Sequence, residues 1–170
     1  MTGRRLALGA VTVVLALLLQ TTVVARLPLP GSPPDLLLVL VVGYALAEGS
    51  ASGMLTGFAA GLLADLVSDA ELGRLALVYA VVGHLAGLAS DETERSTLLA
   101  FVVVGLAGVG ALVLYAGVGF LIGDPRASVA ALGRALTSSV AYDVVLTPFV
   151  VPLVGMLVRR LDPDAARRRS

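Results

Sequence analysis

Apolar residues run along this chain in long blocks separated by short polar interruptions, and the blocks are too long for a soluble core. The first, at 6–25, is about 20 residues, enough for a helix to cross a ~30 Å hydrocarbon layer. A proline-rich loop, Arg26 to Pro34, follows, and Asp35 stands directly before Leu36-Leu37-Leu38 as an expected helix N-cap. The next block, 36–47, is only 12 residues long, about 18 Å of helix. Glu48, Gly49 and Ser50 then mark a turn, and a further block runs over 51–67. This pair reads either as two short spans or as a re-entrant hairpin, and both return the chain to the side it came from. Three more blocks, at 72–89, 97–122 and 138–157, complete a single multi-pass domain over 1–170 of about six transmembrane helices. Ser128 to Leu136 reads as an amphipathic surface piece before the last span, and Pro148 and Pro152 predict a kink within it.

From that turn through the third block, Gly49, Gly53, Gly57 and Gly61 recur every four residues and lead, at the next step, to Asp65. Glycine is a poor helix former in water, but between membrane helices it lets backbones approach closely. The stripe therefore predicts a helix-packing or partner-binding face ending in a carboxylate. Asp65 is either solvated near the headgroups, with Ser68 and Asp69 just beyond it, or buried against another helix or a partner chain. A second pair, Gly83 and Gly87, lies on the fourth span.

Composition agrees with the pattern. Hydrophobic residues make up 58% of the chain and charged residues 14%, against roughly 25% charged in a soluble domain. Mean hydropathy is +0.96. The absence of cysteine excludes disulfides and thiolate chemistry. All 12 basic residues are arginines. With six crossings, Arg4, Arg5, Arg95 and the five C-terminal arginines share one side, and Arg26, Arg74, Arg126 and Arg134 the other. That bias predicts both termini in the cytoplasm, with weak contact of the basic tail to membrane lipid. A signal peptide is disfavoured, because its apolar region would be about 7–15 residues, and Val23-Val24-Ala25-Arg26 is a poor cleavage site.

Two further polar groups stand inside apolar blocks. Asp143 on the last span reaches a depth similar to that of Asp65, so the two could share a proton, hold a cation or accept hydrogen bonds. Separate satisfaction by Ser, Thr or Tyr hydroxyls is the simpler reading. His84, the single histidine, reads as a neutral imidazole hydrogen-bonded between helices near the middle of the fourth span. Scattered Asp residues and one His do not make a metal site, and no cofactor motif or nucleic-acid-binding pattern is present. GxSxG, Walker and HExxH motifs are absent, so no enzyme is expected.

Pro34-Asp35-Leu36-Leu37-Leu38, then Gly53, Gly57-Phe58, Gly61-Leu62-Leu63 with Asp65, and Leu72-Gly73 resemble the rod shape-determining protein MreD family in order and spacing. Glu71 stands where that family often has a proline. The resemblance implies a non-catalytic scaffold in the bacterial cytoplasmic membrane. It would bind MreC and through it reach MreB, the RodA glycan polymerase and a class B penicillin-binding protein. It also implies a bundle resembling the substrate-binding subunit of energy-coupling-factor transporters. Such a vitamin-binding subunit is the alternative function. Against it stand the lack of tryptophan and asparagine, the single Gln20, and Val11 where an A-x-x-x-A stripe would need alanine after Ala7.

Overall fold

The computed structural model describes residues 3–68, 71–93, 96–124 and 129–161, all of them helix, turn or loop. Asp69, cited beside Asp65, and Arg95, Arg126 and Arg167 to Arg169, which entered the topology argument, lie outside these residues. Seven helices follow in order: α1 (Gly3–Thr22), α2 (Leu36–Glu48), α3 (Ser50–Val67), α4 (Arg74–Gly87), α5 (Ser90–Thr93), α6 (Thr97–Ile122) and α7 (Val129–Leu161). A short 3-10 turn, Val24–Arg26, closes α1. Among the described residues four segments are long and apolar enough to cross a membrane: Ala7–Arg26, Ser50–Val67, Leu98–Ile122 and Leu132–Arg160.

The axis of the bundle is α2. Every residue from Leu37 to Leu46 is buried, which is the pattern of a helix enclosed on all sides rather than one with a lipid face. Helices α1, α3, α4, α6 and α7 pack around it. Among the described side chains of α1 only Val13 and Ala16 are buried, while Val11, Leu15, Leu18 and Leu19 point outward. The Thr12 and Tyr44 hydroxyls meet at 2.8 Å and tie α1 to the middle of α2.

Gly49 makes the α2–α3 hairpin. Its φ of 92° is open to glycine at little cost, and it ends one helix while starting the next: its N–H donates to Ala45 O and its carbonyl accepts from Gly53. Gly49 is thus a turn residue, and the packing face of α3 begins at Gly53.

Two sequence expectations change. The block at 72–89 yields a helix of only 14 residues, because Gly73 (φ 93°) starts it late and the chain turns after Gly87 into α5. The surface piece expected before the last span is instead the first part of one 33-residue helix, α7, with Pro148 and Pro152 inside it. Its buried positions Ser139, Asp143, Thr147, Val154 and Val158 form one stripe, polar toward its start and apolar toward its end.

Candidate functional site

Helix ends that lie inside a membrane protein need partners for backbone N–H groups that have no intrahelical acceptor. At one end of this bundle the N-termini of α2 and α4, the C-termini of α3 and α6 and the first half of α7 come together. There the polar side chains meet those needs from neighbouring helices.

Asp65, 2% exposed on the last turn of α3, caps α4. Its Oδ2 accepts from the N–H groups of Gly73 (2.9 Å) and Ala76 (3.2 Å), and its Oδ1 from Leu75 (3.1 Å). Gly73 occupies the N-cap position and has no side chain to do this itself. The carboxylate also sits at the positive end of the α4 dipole. We expect Asp65→Leu to leave these three donors unmet and to lower abundance and detergent thermal stability strongly. Asp65→Asn, which keeps an acceptor oxygen, should recover part of the loss.

Above that carboxylate the glycine stripe brings α3 and α4 into backbone contact. A Cβ at Gly53 would strike the Gly83 carbonyl, one at Gly57 the Tyr79 carbonyl, and one at Gly61 the backbone of Leu75 and Ala76. From the other side, a Cβ at Gly83 would strike the Gly53 carbonyl and one at Gly87 the backbone of Ser50. The stripe and Asp65 therefore face α4 of the same chain.

Asp143, 1% exposed on α7, serves α2 in the same manner. Its Oδ1 accepts from the Asp35 N–H at 2.6 Å. Asp35 caps its own helix through Leu38 N–H at 3.1 Å, and its Oδ2 accepts from the buried Tyr79 hydroxyl of α4. Gln20 at the end of α1 completes the arrangement: its Nε2 donates to Pro34 O (2.8 Å) and its Oε1 accepts from Leu36 N–H (2.9 Å). Three separate helices thus hold the start of α2. Asp65 and Asp143 lie at the same end of the bundle but share no hydrogen-bond partner.

The proline-rich loop folds over this end. Ser32 N–H donates to Ser138 Oγ at 2.7 Å, and the Tyr142 hydroxyl donates to Pro30 O at 3.2 Å.

Arg74, counted in the sequence only as a topology-setting arginine, is 5% exposed. Its Nη1 pairs with Asp124 Oδ2 (2.7 Å) and Glu71 Oε2 (3.1 Å). Its Nε and Nη2 donate to the Tyr115 carbonyl at 3.2 and 2.9 Å, and its guanidinium lies 3.7 Å from the Tyr115 ring centroid. This fork joins the start of α4 to the end of α6, a geometry available to Arg and not to Lys.

The expected role of His84 needs correction. It lies in the last turn of α4, is exposed, and forms no hydrogen bond among the described residues. The buried face of α4 is carried by Tyr79, Val82, Gly83 and Ala86, which leaves position 84 on the outer side. Among the described residues no group of three or more His, Cys, Asp or Glu side chains is placed to hold a metal.

Sequence reading missed Tyr79 beside Asp35 and the group of Arg74, Tyr115 and Asp124, and saw Gln20 only as a scarce amide. One signal was available: an arginine heading an apolar block directly after Leu72-Gly73 is a candidate helix-end group. Its acceptors, 41 and 50 residues away, could not be read locally.

Together these features define an all-helical membrane protein whose buried polar side chains tie helix ends to one another. The chain belongs to the rod shape-determining protein MreD family, whose family model matches residues 4–160. No curated protein and no solved structure matches the chain. It is accordingly a rod-shape-determining membrane protein.

Proposed function

We propose that this chain acts as a non-catalytic membrane scaffold of the machinery that elongates the bacterial cell wall. In this reading it binds MreC and through it connects MreB with RodA and a class B penicillin-binding protein. It lies in the cytoplasmic membrane as about six spans, with both termini cytoplasmic. The bundle would share its general arrangement with the substrate-binding subunits of energy-coupling-factor transporters without their vitamin pocket.

The observation that carries the reading is the family match over residues 4–160. The engagement of Asp65, Arg74 and Asp143 at helix ends supports it, since these side chains serve packing. A rigid bundle is what a scaffold needs, because a partner helix is positioned only as well as the surface that holds it.

The test is a mild-detergent pull-down of the tagged chain from its own host, read by mass spectrometry. Recovery of MreC with wall-elongation enzymes is expected. Recovery of two ATPases and a coupling membrane subunit instead would overturn the scaffold reading in favour of the transporter one.

A further inference from the structure

The outer face of α4 carries a polar group that the bundle leaves unused. His84 is exposed beside Leu85 (57% exposed) and Leu88 (64% exposed), and no described residue bonds to it. In the last turn of α4, on the outer face beside two leucines, it offers a hydrogen-bonding group to a neighbouring helix.

Directly after this face the chain turns into α5, where Asp91 and Glu92 are both exposed. Neither has an ion-pair partner among the described residues. Both acids follow Gly87, which packs on Ser50, so they lie at the end of the bundle where α2 finishes and α3 begins. The charge there identifies the occupant. Anionic headgroups attract basic segments and repel acidic ones, so lipid does not complement Asp91 and Glu92. A membrane-spanning helix with Lys or Arg just beyond its cytoplasmic end does, and such flanks are the rule for single-span proteins.

We propose that the outer face of α4, from His84 to Leu88, together with Asp91 and Glu92 of α5, is the docking surface for one transmembrane helix of a partner protein. That helix has an apolar face against Leu85 and Leu88. It places a hydroxyl, amide or carboxylate group opposite His84, and its basic cytoplasmic flank lies against the two acids. The proposal rests on the scaffold reading for the orientation of the bundle, and it names the surface and the chemistry that the reading leaves open.

The test is photo-crosslinking in host membranes. A benzoylphenylalanine is placed at Leu85 or Leu88, with Phe149 on the exposed face of α7 as the control position. The expected result is a crosslink from 85 and 88, absent from 149, to a single-span protein with a basic flank. The double charge reversal Asp91→Lys/Glu92→Lys should cut its yield about tenfold, as loss of two exposed ion pairs plus repulsion implies. Acidic replacements in the partner's flank should restore it. Because all the altered positions are exposed, abundance should hold, and this is checked on the same samples.

Equal crosslinking from 149, crosslinks to lipid alone, or a yield unchanged by charge reversal would each overturn the proposal. If the pull-down still recovers MreC in that event, the scaffold reading stands and only this surface is wrong. If the pull-down recovers no elongation partner, the scaffold reading itself fails.

Discussion

Leucine at position 57 is expected to abolish accumulation of the folded protein. Ordinary overpacking of a core costs ~1–3 kcal/mol because neighbouring side chains can shift. At Gly57 the obstacle is the carbonyl of Tyr79 and the peptide that follows it, so α3 and α4 must separate along their whole contact. Separation also draws Asp65 away from the N–H groups of Gly73, Leu75 and Ala76, so one substitution disturbs both packing and capping. Alanine at the same site should be an intermediate case, since even its Cβ meets the carbonyl. The contrast is Gly110→Ala on α6, where a Cβ meets nothing within 4 Å. There the substitution should be neutral or stabilise by roughly 0.5–1 kcal/mol, through helix propensity alone. Steady-state abundance and detergent melting of the three variants check the order. A normal level of the leucine variant would mean that the α3–α4 contact is dispensable.

The second large effect is expected at Arg74. Removing one member of a buried ion pair typically costs about 3–5 kcal/mol, because the other charge remains without compensation. Arg74→Met leaves Asp124 without its guanidinium and the Tyr115 carbonyl without two donors. Glu71 matters less, since its side chain is 54% exposed and water can replace the arginine there. Arg74→Lys should fall between, keeping the charge but losing the fork. Combining Arg74→Met with Asp124→Leu should recover part of the loss by removing the carboxylate that Arg74 had faced. A double-mutant cycle on melting temperature tests this, and strict additivity would show that the two side chains do not interact energetically.

These two sites also mark what local reasoning can reach. A glycine every fourth residue is a local pattern, so a close-packing face is legible at 53, 57 and 61. Its counterpart at 83 and 87 is legible for the same reason. The pairing of the two faces is not, because it depends on how the chain enters α4 through Gly73 at positive φ. Helix length suffered similarly: hydropathy carries no mark at Gly87, where α4 stops, so His84 was placed mid-helix when it belongs to the last turn. Asp35 was readable as a cap because its target, Leu38, is three residues on. Asp143 acts on a backbone group 108 residues earlier, a relation no periodicity encodes. The enclosed character of α2 was half visible. Its shortness was plain, but a helix apolar on every side looks the same in sequence whether lipid or protein surrounds it.

The enclosure of α2 has a consequence for the order in which the protein is made. At 13 residues it spans only about 20 Å, and its start is secured by Gln20, already synthesised, and by Tyr79 and Asp143, which are not. As the ribosome proceeds, this segment enters the membrane without its final neighbours. Gln20 and Asp35 can already serve the Leu36 and Leu38 amides, but the Asp35 N–H depends on water at the bilayer surface until α7 emerges. Biogenesis therefore closes only with the last helix, and a nascent chain stalled before residue 143 holds an α2 that is threaded but not yet locked.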